Sequence, residues 1–276
     1  VYFIFLMDQT IHAKRKNLIY ILDPIKKTAA VASNENASGV VKIPKTIKYQ
    51  DQIFVVTRIK EGAFANSQKI RSITFPFDSS VSIIEKDAFL NSSIQNLFIP
   101  ASISELLEGW CRGTPMLTEI TIMPNNPKYI YLDGACILGK SDQNCQIYNN
   151  LVFAKRNIEN IIIPSFVTQI KSYAFSECSI EKVFIPSHVK QICEGSFYKC
   201  KFLKQVEIPS DSELESIESL SFFGTLIESI LIPSSICSLG KNWCNESSKI
   251  STSIKPPVES SFQNRNSLIK DGKCLR

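Results

Sequence analysis

Cys193 and His188 are the first residues in this chain whose types and spacing suggest chemistry, because four residues separate a thiol from an imidazole. Such a pair can act as nucleophile and general base when an Asn or Asp orients the imidazole. The sequence supplies neither an orienting residue nor an oxyanion loop beside them. We therefore expect a solvated histidine and a bystander cysteine, and we predict that the protein is not an enzyme.

The carboxylates of Glu213, Glu215 and Glu218 are the second candidate, for a metal site or for the acid and base of a glycosidase. They lie on a polar connection, and a hydrated acidic edge explains them better. The chain has only two histidines and no C-x-x-C pair, phosphate-binding loop, H-E-x-x-H or G-x-S-x-G motif. We therefore predict no metal and no cofactor.

The elements that carry these residues follow a period, marked by an apolar residue before a proline. Five of the seven intervals between these prolines are 22 to 24 residues long, and the other two are 32 and 40. A period of this length is typical of a solenoid built from stacked repeats. The prolines are Pro44, Pro76, Pro100, Pro124, Pro164, Pro186, Pro209 and Pro233.

A second motif runs in phase with the first and places a small residue before a phenylalanine. It occurs as IKEGAF (59–64), IEKDAF (84–89), IKSYAF (170–175), ICEGSF (192–197) and IESLSF (217–222). Two variants, LLEGWC (106–111) and LGKNWC (239–244), have Trp at the small position and Cys at the Phe position. We expect the phenylalanines to form a buried spine, since each is tied to the apolar period.

Each repeat has one physical plan. A segment with L-x-x-L-x-L spacing ends in alternating residues, which predicts a short strand, and the proline that follows cannot donate to a strand ladder. A second short extended piece then leads to the small-Phe turn. One repeat cannot bury its apolar edge alone, so the repeats must stack. We predict a right-handed solenoid of an α/β-type repeat that is mostly β, with short parallel strands and irregular or short-helical turns.

The segment IPSFVTQIKSYAFSECSIEKVFIPSHVKQICEGSFYKC (163–200) resembles the leucine-rich repeat of the BspA-like type. The segment 40–64 resembles the hairpin that precedes such arrays, and 126–157 resembles the longer hairpin repeat that interrupts them. The resemblance implies a non-enzymatic surface adhesion or interaction protein of the kind found in bacteria and protists. It brings no catalytic residues with it.

The predicted domain organisation follows from the extent of the repeats. Residues 1–39 form an N-terminal strand or cap region, and 40–250 form the array, with a hairpin insertion at about 125–156. Residues 251–276 lose the period and become polar, which predicts a tail or the truncated continuation of the array.

Two cysteine pairs are candidates for disulfides, and three sequons are candidates for glycosylation. Cys178 and Cys200 occupy the same repeat position 22 residues apart, so stacking places them about 5 Å from each other, within disulfide range. We favour small buried thiols there. Cys136 and Cys145 flank a predicted hairpin and are the better possible disulfide if the protein is secreted, but plain strand residues in a reducing compartment. Possible glycosylation sites are Asn36, Asn91 and Asn245.

The predicted binding face comes from the strand positions that point outward between the last two apolar residues. Large apolar residues stand at four of these seven positions, and the residues two positions earlier are all polar. This combination predicts an interaction surface, although the hairpin at 125–156 folding over part of it is the alternative. The residues assigned to the face are Phe98, Ile162, Phe184, Leu231, Asn96 and Lys182.

Charge and hydropathy bound the partners. Residues 1–71 carry 12 Lys and Arg against 5 Asp and Glu, whereas residues 72–250 carry 14 against 19. A nucleic-acid groove along the array needs the opposite balance there, so we predict no nucleic-acid partner. No apolar run is long enough for a transmembrane helix, and the opening VYFIFLM is a poor signal peptide. We expect a protein or glycan ligand and, by resemblance, a cell-surface or secreted location. An intracellular, cytoplasmic protein-interaction scaffold is the alternative.

Overall fold

Twenty-two short strands carry the chain through the residues that the structure, a computed structural model, describes. These residues are 11–15, 18–34, 36–142 and 144–245, together with the backbone of 249–252. None of them is helical. They form two units: the described residues up to 114 with 119–127 (unit 1), and residues 115–118 with those from 128 onward (unit 2).

Unit 1 contains two sheets. Its first sheet has the order β1-β2-β3-β6-β8-β10, with β5 paired to β6, and its second has the order β11-β9-β7-β4. The pairs β1–β2, β2–β3 and β5–β6 are antiparallel, and the other pairs are parallel. The strands are β1 (Ile11–Arg15), β2 (Leu18–Asp23), β3 (Thr28–Val31), β4 (Ser38–Lys42), β5 (Thr46–Tyr49), β6 (Gln52–Ile59), β7 (Lys69–Thr74), β8 (Ile83–Ile84), β9 (Asn96–Ile99), β10 (Glu105–Leu106) and β11 (Glu119–Ile122).

Unit 2 has one long sheet of order β12-β13-β14-β15-β17-β19-β21 and the parallel pairs β16–β18 and β20–β22. The long sheet begins as an antiparallel meander and is parallel from β14 onward. Its strands are β12 (Tyr129–Leu132), β13 (Cys136–Gly139), β14 (Asn150–Ala154), β15 (Gln169–Ile170), β16 (Lys182–Phe184), β17 (Gln191–Ile192), β18 (Gln205–Glu207), β19 (Ser216–Ile217), β20 (Ser229–Ile232), β21 (Ser238–Leu239) and β22 (Lys249–Thr252).

One of the prolines of the period follows each of seven strands within two residues, and the chain turns there. We call these seven the outer strands: β4, β7, β9, β11, β16, β18 and β20. In several coils the proline carbonyl accepts a hydrogen bond from the backbone N–H three residues later, as in Val189 to Pro186 at 3.1 Å and Ser212 to Pro209 at 3.1 Å. The chain is then directed into the second short strand of the coil. A repeat of 22 to 24 residues therefore forms one coil with one strand in each of two sheets.

The small-Phe turn carries the second change of direction. The residues two before and two after the Phe position have positive φ, as at Gly195 (59°) and Lys199 (55°) around Phe197. The turns are also paired from coil to coil, since the N–H of Phe175 donates to the carbonyl of Ser196 at 2.7 Å. The left-handed residues therefore shape each turn. The hydrogen bonds between turns keep successive coils in register.

The core of each unit is a column of aromatic rings. In unit 1, Phe64 stacks on Phe89 at 5.6 Å between centroids, and Trp110 meets Phe89 edge-on at 6.2 Å. In unit 2, the rings of Phe175, Phe197 and Phe222 stack in turn, and Trp243 meets Phe222 edge-on at 6.3 Å. All five phenylalanines are fully buried. Each Trp-Cys repeat thus ends a phenylalanine column with its indole ring.

The mostly β coiled fold with short parallel strands, expected from the period, is confirmed. Its turns are irregular, and none of the described residues forms a helix that is long and apolar enough to cross a membrane. Within the segment 125–156, the strands β12, β13 and β14 form a three-stranded antiparallel meander whose last strand pairs in parallel with β15.

Candidate interaction surface

The outer strands of unit 2 alternate buried and exposed residues. Val183 and Ile185 are at most 1% exposed, whereas Phe184 between them is 50% exposed. Ile230 and Ile232 are buried, and Leu231 between them is 45% exposed. The alternation arises because successive strand residues point to opposite faces. The outward positions that the sequence predicts therefore point outward in this unit.

Phe184 and Leu231 point outward from these strands, and a third large apolar side chain, Ile162, stands at the same repeat position and is 91% exposed. Each belongs to a different coil and stands two residues before a proline; Phe184 lies on β16 and Leu231 on β20, whereas the residues around Ile162 form no strand. Isolated exposed apolar residues are common on protein surfaces, but a recurrent one at the same repeat position is informative. We call these three residues the apolar stripe.

A polar network lies beside Phe184 and includes Glu207, which occupies the same repeat position in the coil between those of Phe184 and Leu231. The Lys182 ammonium lies 2.7 Å from the Glu207 carboxylate on the neighbouring strand. The side-chain amide of Gln205 donates to the same carboxylate at 2.8 Å. Because all three side chains are wholly or partly exposed, this network contributes little to stability. Opposite charges at outward positions of successive repeats were the sequence signal for this ion pair.

The meander of β12, β13 and β14 extends the long sheet of unit 2, which contains β15, β17, β19 and β21. Phe184 and Leu231 instead lie on β16 and β20, outside that sheet, and they keep about half of their surface in solvent. Within unit 2, the alternative that the hairpin folds over the apolar stripe finds no support in this arrangement.

Phe98 and Asn96, which the sequence assigned to the same face, lie in unit 1 on β9. Phe98 is partly buried and Asn96 is exposed. In the register of β9 with β11, Phe98 stands opposite Thr121, so the equivalent position on β11 is polar. Unit 1 therefore offers a smaller apolar surface at these positions than unit 2 does.

Cys193 and His188 lie in different environments. Cys193 is 4% exposed, and its carbonyl accepts a hydrogen bond from the Ser196 hydroxyl at 2.6 Å. His188 is exposed on the proline turn, with Nδ1 3.0 Å from a carboxylate oxygen of Glu213. The structure does not present the two as a nucleophile and its base.

Glu213, Glu215 and Glu218, the candidate acidic site, do not share hydrogen-bond partners within the described part of the chain. Glu213 pairs with His188, while the Glu218 carboxylate accepts the backbone N–H of Glu194 at 2.8 Å and a bond from the Gln191 amide. Glu215 is exposed. Among the described residues, no group of three or more His, Cys, Asp or Glu side chains is placed to hold a metal ion. The Glu218 carboxylate instead accepts hydrogen bonds from the preceding coil.

Cys136 and Cys145 are free thiols, one at the start of β13 and the other in the loop after it. Cys136 begins the strand opposite Ala154, and Cys145 lies in the loop that follows Gly139, so about 10 Å of strand stands between them at the usual rise. This geometry does not favour the disulfide that the sequence suggested. Burial, with a smaller contribution from Asp133, raises the pKa of Cys136 to about 12. A hydrogen bond from Ser141 lowers the pKa of Cys145.

Cys178 and Cys200 are free thiols inside the stack of coils. The Cys200 thiol donates to the Phe175 carbonyl at 2.9 Å, and the Cys178 sulfur lies 3.8 Å from Nη1 of Arg156. Burial raises the pKa of both thiols. Arg156 is itself buried, donates to the Ala174 carbonyl at 2.9 Å and lies over the Phe153 ring. Because Arg156 lies outside the repeat motifs, no sequence pattern predicted its burial.

The three sequons differ in what their asparagines do. Asn36 and Asn91 are exposed. Both side-chain atoms of Asn245 bond to the preceding coil: Oδ1 accepts from Gly224 N–H at 2.8 Å, and Nδ2 donates to the Thr225 carbonyl at 2.7 Å. A glycan on Nδ2 of Asn245 would compete with the second of these bonds.

The family model for the BspA type leucine-rich repeat region matches residues 42–133 and 140–268 in six copies. The chain therefore belongs to this family, and the resemblance drawn from the motifs is confirmed. The match continues to residue 268, into the segment 251–276 predicted to be a tail or a truncated continuation. Residues from 253 onward lie outside the described part of the structure.

Solved structures with the same fold include a leucine-rich cell surface protein from Faecalibacterium prausnitzii A2-165. It matches with a TM-score of 0.54 and 16% sequence identity, over 92% of this chain and 100% of that chain. The pneumococcal vaccine antigen PcpA matches with a TM-score of 0.47 and 16% identity, over 89% of this chain and 82% of its own. A search of curated proteins returned no match. The leucine-rich-repeat solenoid is confirmed, and its family is in general an interaction fold without enzymatic activity.

Proposed function

We propose that this protein is a non-enzymatic recognition module that binds a protein ligand outside the cell through the outer face of unit 2. The observation that carries the proposal is the apolar stripe: Ile162, Phe184 and Leu231 recur at one repeat position and remain exposed. Aromatic and aliphatic residues at the centre of a polar surround are typical of protein interfaces. The network of Lys182, Gln205 and Glu207 supplies that surround.

Phe184 is the proposed anchor, because it is half exposed and is in register with the polar residue Glu207 on the neighbouring strand. Its backbone is held by the pairing of β16 with β18, so a partner meets a preformed surface. A rigid anchor loses little conformational entropy on binding. Adhesion outside the cell is supported by the family and by the cell-surface protein that shares the fold.

The test uses Phe184→Lys and a matched control, Phe202→Lys. Phe202 is 54% exposed, so its replacement makes the same chemical change outside the outer strands. Each variant is immobilised, incubated with extracellular material, and its bound proteins are identified. We expect Phe184→Lys to lose a protein that the native chain and Phe202→Lys both retain, with all three melting within a few degrees of one another. Equal retention by both variants would remove this face from the proposal.

Location is tested separately. We expect an antibody against the array to label intact, unpermeabilised cells. Labelling only after permeabilisation would favour the alternative of an intracellular scaffold that uses the same face.

A further inference from the structure

β4 is the last strand of its sheet in unit 1, and its backbone faces an open edge. Ile43, directly after β4, donates its N–H to the Thr74 carbonyl of the neighbouring β7 at 2.9 Å. Since successive strand residues alternate in direction, the N–H groups of Val40 and Lys42 point to the other edge. Among the described residues, no strand pairs with β4 on that side.

β4 is irregular at Gly39, where φ is +62°, and extended from Val40 to Lys42. The register between β4 and β7 shifts between Gly39 and Val40, but the extra residue is Arg71 on β7. Beyond Gly39, the backbone groups of Val40 and Lys42 are the donors and acceptors that β4 presents at this edge. Such an edge is the template to which an extended peptide can add as a further strand.

A cleft of about 390 Å³ adjoins this edge. Its floor includes the buried side chains of Leu18, Tyr20 and Val41. The volume accommodates a few side chains of an extended segment rather than a folded domain. The apolar floor and the open strand edge together form a site for a peptide.

The rim of the cleft is cationic. Arg15 and Lys42 line it, both are exposed, and neither forms an ion pair with a carboxylate within the described part of the chain. Lys45, by contrast, lies 2.8 Å from a carboxylate oxygen of Asp78. Two exposed cations beside a strand edge attract negative charge. The excess of 12 Lys and Arg over 5 Asp and Glu in residues 1–71 was the sequence signal.

We propose that an extended acidic peptide segment of a partner protein adds to β4 as a strand, with its carboxylates beside Arg15 and Lys42. Backbone hydrogen bonds to Val40 and Lys42 align the segment, and the two cations select its charge. This site lies in unit 1 and is separate from the apolar stripe.

The test measures fluorescence anisotropy with two labelled peptides, one alternating Glu and Thr and one alternating Lys and Thr. We expect the Glu peptide to bind and the Lys peptide not to bind. The affinity should fall with added salt, since the contacts are exposed. The variant Arg15→Glu/Lys42→Glu should weaken binding about tenfold or more. Its control, Lys201→Glu/Lys204→Glu, changes the net charge equally at exposed positions of unit 2 and should bind as the native chain does.

Amide hydrogen exchange tests the edge itself. We expect the amides of Val40 and Lys42 to exchange quickly in the free protein and to be slowed by the Glu peptide. The proposal fails if those amides are already protected without peptide, because another part of the chain then occupies the edge. It fails also if the Glu peptide does not bind, or if the two double variants bind it equally.

Discussion

The rings of Phe175 and Phe197 stack with 4.8 Å between their centroids and 8° between their planes, and Phe197 stacks in the same way on Phe222 at 5.0 Å. Each ring comes from a different coil, so the contact joins residues 22 to 25 positions apart in the chain. All three are fully buried. The column therefore stabilises the stacking of coils, in addition to the interior of any single coil.

Replacing the middle ring, by Phe197→Ala, is expected to cost about 3 to 5 kcal/mol in the free energy of unfolding. The reason is the loss of a buried ring that contacts rings on both sides. Denaturant melts measure the change. Phe202→Ala, at a 54% exposed phenylalanine in the same unit, should cost less than about 0.5 kcal/mol. Similar losses in the two variants would contradict the role of the column.

Gly195→Ala should destabilise unit 2 because two constraints meet at this position. Gly195 has φ of +59°, and a Cβ there would lie 2.3 Å from the Tyr173 ring. Moving that ring would disturb the hydrogen bond from its hydroxyl to Glu194, which is 2.7 Å long. We expect a loss of roughly 2 to 4 kcal/mol, from the left-handed backbone and the steric overlap together.

Gly62→Ala is the matched control for Gly195→Ala. Gly62 stands at the same repeat position with φ of +64°, and the nearest side-chain atom to its added Cβ would be 3.9 Å away. Thermal melts should show a loss of about 1 kcal/mol, from the backbone conformation alone. A Gly195→Ala variant no less stable than Gly62→Ala would mean that the Tyr173 ring does not constrain the turn.

Stability should fall at alkaline pH partly through Cys136. Burial raises its pKa in the folded protein from 9.0 to about 12. The folded state therefore holds its proton more tightly than the unfolded chain, and this contribution is complete below about pH 8.5 and lost as the pH rises towards 12. We expect Cys136→Ala to show a shallower decline of melting temperature between about pH 9 and 12 than the native chain. If the melting temperature of Cys136→Ala falls as steeply as that of the native chain, ionisation of Cys136 does not contribute to the loss of stability. Cys145→Ala, which removes a thiol outside the core, is the control.

Glu218→Ala should cost about 1 to 2 kcal/mol, because the N–H of Glu194 and the amide of Gln191 both lose their acceptor. Glu215→Ala, three residues earlier and exposed, should change stability by less than about 0.5 kcal/mol. Urea melts of the two variants compare them directly. If the two losses are equal, the carboxylate of Glu218 does not support the turn.

The sequence predicted the coil because its signals are local and repeated. A proline after an alternating apolar segment ends a strand wherever it occurs, and a phenylalanine tied to the period must be buried in every coil. Phe175, Phe197 and Phe222 could therefore be assigned to the core from the chain alone, and so could the outward direction of Phe184 between Val183 and Ile185.

The sequence motifs could not predict contacts between residues that are far apart in the chain. The separation of Cys136 from Cys145 depends on where β13 ends and how its loop runs, and the burial of Arg156 depends on the coil that covers it. The open edge of β4 is likewise a property of sheet order, which no residue of β4 encodes. The sequence by itself determined the repeat, the strands and the faces of each coil, because these follow from neighbouring residues and their period. Only the tertiary structure decided which groups meet across coils and which edge stays open, because packing and strand order join residues far apart in the chain.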